Sequence, residues 1–193
     1  MDGLLVAVVV IALVFDFTNG FHDAANAVAT SISTRAIPPN VALAGAAVLN
    51  VVGALISTNV AATLAKGIVE STAVTGPVMF GGLLGAIVWN LLTWWWALPS
   101  SSSHCLVGGV AGAVIATTGL EAVKWDGIVE KVLIPTVIAP TVGFAVGIAL
   151  MVALLWIFGR ANPGVLSRRF RIAQLVSASF MAFSHGSNDA QKT

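Results

Sequence analysis

Long apolar runs separated by short polar segments make up most of this sequence. The runs cover about residues 4–33, 41–64, 78–118 and 132–158, and a last one opens at Ile172. A hydrocarbon core about 30 Å thick needs about 20 helical residues to be crossed. The pattern therefore predicts an all-α integral membrane protein that crosses the bilayer several times.

Polar residues interrupt the first run. Its apolar part, residues 4–15, would reach only about 18 Å as a helix, so the crossing must continue through Asp16, Asn19, His22 and Asp23. Gly20 is a place where the helix is expected to break, which predicts a broken transmembrane helix over 4–33. Broken helices and buried carboxylates at membrane depth are typical of transport or ion pathways.

Composition narrows the class of protein further. Hydrophobic residues make up 58% of the chain and charged residues 9%, against roughly 25% charged in soluble domains, so the expected surroundings are a lipid bilayer. Nine Lys and Arg against eight Asp and Glu leave no basic excess to bind nucleic acid. Cys105 is the single cysteine, which excludes an internal disulfide. The N-terminus lacks the basic start of a cleaved signal and is expected to be retained.

Charge also predicts orientation. The segment with Arg160, Arg168, Arg169 and Arg171 is the strongest positive-inside signal and is expected in the cytoplasm. We interpret 78–118 as a re-entrant helical hairpin, because its serine run is too polar for an ordinary turn beside tryptophans. The first run then crosses from the outer to the inner side, and the last run crosses from the inner to the outer side. The N-terminus is therefore expected on the outer side of the cell (inner or plasma) membrane.

One short motif occurs twice. The sequence G-F-H-D-A at 20–24 matches G-S-N-D-A at 186–190, and each copy follows an apolar run. The two copies are predicted to run in opposite directions, which is typical of inverted-repeat transporters with sites near the bilayer midplane.

Three motifs in order carry a family resemblance: G-F-H-D-A-A-N-A at 20–27, P-S-S-S-S-H at 99–104 and H-G-S-N-D-A-Q-K at 185–192. The chain resembles the inorganic phosphate transporter (PiT) family of sodium- or proton-coupled symporters. The resemblance implies an inverted-repeat fold with broken helices and a re-entrant hairpin. Residues 1–160 would be the first repeat, and 161–193 a cytoplasmic basic loop with the first helix of an incomplete second repeat.

The serine motif suits an oxyanion. A helix that starts after Pro99 would present free backbone N–H groups, several hydroxyls and a positive dipole end, which makes the candidate anion ligands Ser101, Ser102, Ser103 and His104. The alternative is a polar loop in which a serine merely caps the helix. His104 and His185 are equally suited to be orienting hydrogen-bond partners.

The carboxylate motif predicts ion coupling. Asp23 and Asn26 share a helix face, and like charges repel at low dielectric, so a cation or a proton must accompany a phosphate dianion there. The alternative is that these polar groups only stabilise helix packing. The candidate Na⁺ ligands are Asp23, Asn26, Asn19, His22, Asn50, Asn188 and Asp189.

The resemblance adds further expectations. It implies that Asp23 and Asn26 bind phosphate on one side, and Asn188, Asp189 and Gln191 on the other. His22 stands where the family usually has Asn, and Asn50 where many members have an acidic residue, so H⁺ remains open as the coupling ion.

The predicted function is Na⁺- or H⁺-coupled symport of inorganic phosphate, without an enzymatic cofactor. Sulfate is the alternative anion. A half-molecule that transports only with a second half or as a homo-oligomer is another possibility. An intramembrane hydrolase using Ser102 or Ser103, His104 and Asp23 is disfavoured, because adjacent residues at a helix start do not align as nucleophile and base. The chain is therefore not expected to be an enzyme.

Overall fold

The computed structural model describes residues 3–56, 67–98 and 100–189, without the side chains of 24–26 and 189. Its α-helices are α1 (Gly3–Ser33), α2 (Pro39–Ile56), α3 (Gly76–Trp95), α4 (Ser102–Thr118), α5 (Trp125–Ile128), α6 (Ile134–Phe158) and α7 (Pro163–Asp189). A 3₁₀ turn, Leu120–Ala122, precedes α5, and a π-helical turn, Val129–Leu133, joins α5 to α6.

The prediction of an all-α, multi-pass membrane protein is confirmed. Within the described ranges, α1, α2, α3 and the stretch Trp125–Phe158 are long and apolar enough to cross a membrane. The predicted span 41–64 corresponds to α2, with 57–66 outside the described residues. The predicted hairpin 78–118 is α3 and α4, and the span 132–158 is α6 with the end of the π-helical turn.

Helix α1 differs from the expectation, because it continues from Gly3 to Ser33 without a break at Gly20. A glycine inside a helix costs only about 1 kcal/mol, whereas each unsatisfied backbone group in lipid costs several. The polar residues before Gly20 are accommodated within the helix. Thr18 donates its hydroxyl hydrogen to the Phe15 carbonyl at 2.8 Å, and Thr18 and Asn19 are buried.

Helix α7 starts earlier than predicted and also continues through its glycine, Gly186. The backbone N–H of Gly164 donates to Asn162 Oδ1 at 2.9 Å, and Pro163 occupies the first helical position, which suits a helix start. The arginines at 168, 169 and 171 therefore lie on a helix and not in the expected basic loop.

Two helix pairs pack with backbones in direct contact. In the α3–α4 hairpin, a Cβ added to Gly82 would lie 2.9 Å from Val110 Cα. Between α2 and α7, a Cβ added to Gly53 would lie 2.8 Å from the Ser187 nitrogen, and one added to Gly186 would collide with the Asn50 backbone. Small residues allow this approach in membrane proteins.

Helix α1 connects these two pairs. Phe15, in its first half, packs in a buried cluster with Leu83 of α3 and Leu106 of α4. Farther along, Ala27 and Val28 pack in another cluster with residues of α2 and α7, Ala42, Ala46 and Ala182. Asp23 lies where α1 passes from one pair to the other.

Helices α1 and α7 run antiparallel, as two inverted copies of a motif require. At one level Gln174 Nε2 donates to the Thr30 carbonyl at 3.1 Å. At another, His185 Nε2 lies 3.5 Å from Asp23 Oδ2. Residue numbers therefore fall along α1 as they rise along α7.

Candidate functional site

A cavity of about 630 Å³ lies where α1, α4 and α7 meet. Its lining comes from Asp23 and Ala27 of α1, from residues 100–103 at the start of α4, and from one face of α7. Of the predicted site residues, it brings together Asp23, Ser101, Ser102, Ser103 and Asn188. Segments far apart in the sequence therefore bring polar groups together in one cavity.

The serine run forms both a cap and a wall. Ser101 is the N-cap of α4, and its Oγ accepts a hydrogen bond from the His104 backbone N–H at 3.4 Å. Ser101 therefore caps the helix, and it also lines the cavity with Ser100, Ser102 and Ser103. A helix start combines unpaired N–H groups with a positive dipole end, so this wall is suited to an anion.

The Asp23 carboxylate faces groups from three directions. Ser102 Oγ donates to Asp23 Oδ2 at 3.4 Å, and His185 Nε2 lies 3.5 Å from the same oxygen. His22 Nδ1 lies 3.7 Å from Oδ1. The Asp23 side chain is only 13% exposed, so these polar neighbours replace much of its water.

His185 is itself held by α2. Its Nδ1 lies 2.7 Å from Asn50 Oδ1, and Asn50 Nδ2 donates to the Ala46 carbonyl at 2.8 Å. Because the Asn50 amide thus offers its oxygen, Nδ1 of His185 is the donor in this contact,. A hydrogen bond from Nε2 to the Asp23 carboxylate, which can only accept, needs a hydrogen on that nitrogen as well,. Asn50 therefore reaches Asp23 only through the His185 ring.

Several predicted residues lie elsewhere. His104 does not line this cavity. Its Nε2 instead bonds at 2.9 Å to Oγ1 of Thr136, in the first turn of α6. Asn19 is 3% exposed and lies one turn before Asp23, and its Oδ1 has no hydrogen-bond partner among the described residues. The side chains of Asn26 and Asp189, and the whole of Gln191, lie outside the described residues.

The α7 wall contains residues that sequence reasoning did not select. Ser177, Ser184 and Asn188 line the cavity, and Asn188 Nδ2 donates to Ser184 Oγ at 3.4 Å. Their spacings of seven and four residues place them on one helix face. Polar residues at this spacing, before the second copy of the motif, were the signal that would have found the two serines.

Residues 19–165 match a family model described as "Phosphate transporter family". The chain belongs to this family. Its members are transporters, which agrees with the prediction that the chain is not an enzyme and contradicts the hydrolase alternative. The described geometry also argues against a hydrolase, because the His104 ring bonds to Thr136 and not to the serine that it would have to activate.

Individual relatives share the family. A protein of Mycobacterium bovis, named "Probable low-affinity inorganic phosphate transporter", is 52% identical over 98% of this chain. A Streptomyces halstedii protein of the same name is 52% identical over 95% of this chain and 86% of its own length. The chain spans only 46% of the Mycobacterium bovis protein, so it corresponds to about half of that relative.

The fold also has a solved counterpart. A structure named "The sodium-dependent phosphate transporter" superposes with a TM-score of 0.80 at 21% identity. The match covers 98% of this chain and 65% of the solved one. The helix arrangement described above is therefore that of a known transporter fold.

Proposed function

We propose that this chain is the first repeat, with the opening helix of the second, of a secondary transporter that carries inorganic phosphate together with Na⁺. The observation that carries the proposal is the cavity in which Asp23 faces the start of α4 and the polar stripe of α7. The family match and the names of the two relatives support phosphate as the substrate.

The anion would bind at the α4 start. Backbone N–H groups there, with the hydroxyls of Ser101 and Ser103, are donors that suit phosphate oxygens. Ser102 gives its hydroxyl hydrogen to Asp23 Oδ2 and would contribute its backbone N–H. Asn188 adds an amide from α7. We assign Asn26, Asp189 and Gln191 to the same site by the motif they share with the family.

The cation would bind beside Asp23. An aspartate and a phosphate dianion repel in a site of low dielectric, so a cation between them lowers the energy of both. Asp23 Oδ1 and Asn19 Oδ1, which has no hydrogen-bond partner in the described part of the chain, are oxygen ligands of the kind a hard cation prefers,. The sodium dependence in the solved relative's name supports Na⁺. Each inward charge gains about 2.3 kcal/mol per 100 mV, which would drive uptake.

The same cavity has one feature that favours H⁺ as a second candidate for the coupling ion. His185 Nε2 faces Asp23 Oδ2 at 3.5 Å, and a histidine beside a carboxylate is a group that can take up a proton near neutral pH. An H⁺ gradient therefore belongs in the same experiment.

The test combines binding and uptake. Phosphate binding to the purified chain is measured by calorimetry with Na⁺ or choline as the cation. Phosphate uptake is then measured in proteoliposomes under an inward Na⁺ or H⁺ gradient, with excess sulfate as competitor. Asp23→Asn should weaken phosphate binding to a lower but still measurable affinity, whereas the matched control Asp126→Asn, an exposed residue of α5, should leave the affinity unchanged.

The outcomes separate the alternatives. Binding with uptake supports a transporter that works as this chain, and binding without uptake supports a repeat that needs a second half or another copy. Tighter binding of sulfate than of phosphate would change the assigned anion. No binding of either anion by folded protein would contradict the proposal.

A further inference from the structure

We propose that Asn50 and His185 are positioning residues that hold the Asp23 carboxylate in the cavity wall. The inference rests on the proposed function and assigns both residues an action on phosphate through Asp23. His185 lines the cavity and Asn50 does not, so Asn50 is one contact farther from the anion.

The first step is the close packing of α2 on α7. Gly53 and Gly186 bring the two backbones together, and a side chain on Gly186 would collide with the Asn50 backbone. Since neither helix can shift without breaking this contact, Asn50 and His185 are kept at one level. The distance of 2.7 Å between Asn50 Oδ1 and His185 Nδ1 is a consequence of that packing.

The second step is the orientation of the imidazole ring. Asn50 donates to the Ala46 carbonyl of its own helix, which leaves its oxygen as the atom that faces His185. The hydrogen on Nδ1 is committed to that oxygen. The ring is thereby prevented from turning, and Nε2 is the atom that it presents to Asp23.

The third step is the carboxylate. Asp23 Oδ2 lies between Ser102 Oγ of α4 and Nε2 of His185 of α7, at 3.4 and 3.5 Å. Ser102 is 4% exposed, so its contact is not readily replaced by water. With Oδ2 flanked by the Ser102 hydroxyl on one side and the fixed imidazole ring on the other, the Asp23 side chain keeps one rotamer toward the cavity, as positioned binding groups require.

A double-mutant cycle on phosphate binding tests this chain of contacts. Asn50→Leu removes the oxygen that accepts from His185. His185→Asn keeps a donor for Asn50, but its side chain is too short to reach Asp23. His185→Gln has a longer side chain that can still reach Asp23. Each change is made alone and with Asp23→Asn in the 193-residue chain, and Kd for inorganic phosphate is measured by calorimetry. Thr141→Val on α6, whose hydroxyl bonds to its own helix at Val137, is the control.

We expect Asn50→Leu and His185→Asn each to weaken phosphate binding by about fivefold, the size of an ordinary coupling between contacting groups. His185→Gln should recover part of the loss, and neither change should weaken binding further once Asp23 is asparagine. A merely structural role would lower affinity equally in both backgrounds.

Two results would overturn the inference, and they are distinguishable. If the unmodified chain binds phosphate and the Asn50 and His185 variants bind it equally well, the positioning role is refuted and the proposed function stands. If the folded, unmodified chain does not bind phosphate, both are refuted. If Asn50→Leu does not fold, the two His185 variants decide by the same criteria.

Discussion

Asp23 contacts groups on its own helix, on α4 and on α7, so small changes around it should alter the whole cavity. Ser102 is a donor from α4. Its hydroxyl bonds to the carboxylate, and its neighbours at the helix start face the same cavity.

Ser102→Ala is therefore expected to weaken phosphate binding. A hydrogen bond to a charged group contributes about 1.5–3 kcal/mol, and the long distance of 3.4 Å places this one at or below the lower end, or a loss of roughly tenfold. Calorimetry measures the change. Ser33→Ala, whose hydroxyl bonds to the exposed Thr30 carbonyl, should bind as the original does, and equal losses in both variants would contradict the assignment.

Asn19 gives a second prediction at this scale. A buried polar atom without a partner costs about 1–3 kcal/mol, and Asn19 Oδ1 is such an atom within the described part of the chain. Asn19→Leu should therefore raise the melting temperature measured without Na⁺. If that oxygen binds the cation, the same variant should lose the increase in phosphate affinity that Na⁺ gives. Retention of the full Na⁺ effect would exclude Asn19 from the cation site.

At the scale of elements, the glycines decide which helices move together. Gly82 and Gly109 join α3 to α4, and Gly53 and Gly186 join α2 to α7. The α4 start and the α7 stripe therefore belong to different packed pairs, and the cavity lies between them.

Matched substitutions in α4 test this close packing. Gly109→Ala would place a Cβ against the Gly82 carbonyl, and overpacking of this kind costs about 1–3 kcal/mol,. Gly112→Ala has open space within 4 Å and should stabilise the helix by up to about 1 kcal/mol. Thermal unfolding in detergent should thus move in opposite directions for the two variants. Equal shifts would show that α3 and α4 do not touch at Gly109.

For the whole molecule, the helix pairs rather than the two repeats are the compact units. Helix α7, which we assign to the proposed second repeat, packs on α2 of the proposed first repeat. The antiparallel contact of α1 with α7 places both copies of the motif at one cavity. If the proposed transport function is correct, we expect rocking of one pair against the other about α1 to expose that cavity to each side in turn.

Thiol labelling examines access to the cavity. The buried Cys105 is first replaced by Ala to give a background without cysteine. In that background Ser177→Cys, on the α7 wall, should react with a water-soluble maleimide, and phosphate should slow the reaction. Val146 is exposed on the apolar helix α6, where we expect lipid to cover it. Val146→Cys should therefore react slowly with or without phosphate. Labelling at 177 that is indifferent to phosphate would place the anion elsewhere.

The sequence by itself determined the membrane class, the approximate positions of the apolar spans and the two motifs whose Asp23 and serines 101–103 share the cavity. These follow from local pattern, because length, apolarity and helical period are set by neighbours along the chain. It also indicated Asn188, through the repeat of the motif.

Only the tertiary structure decided which groups face each other. The contact of Asn50 with His185, the turn of His104 toward Thr136 and the place of two α7 serines in the cavity wall depend on how helices pack. The continuity of α1 through Gly20 likewise depends on its surroundings. In lipid, breaking the helix would leave backbone groups unpaired, which costs more free energy than keeping one glycine inside the helix. Helices from distant segments pack closely at a few glycines. The pattern of residues along the chain does not show which helix each glycine contacts.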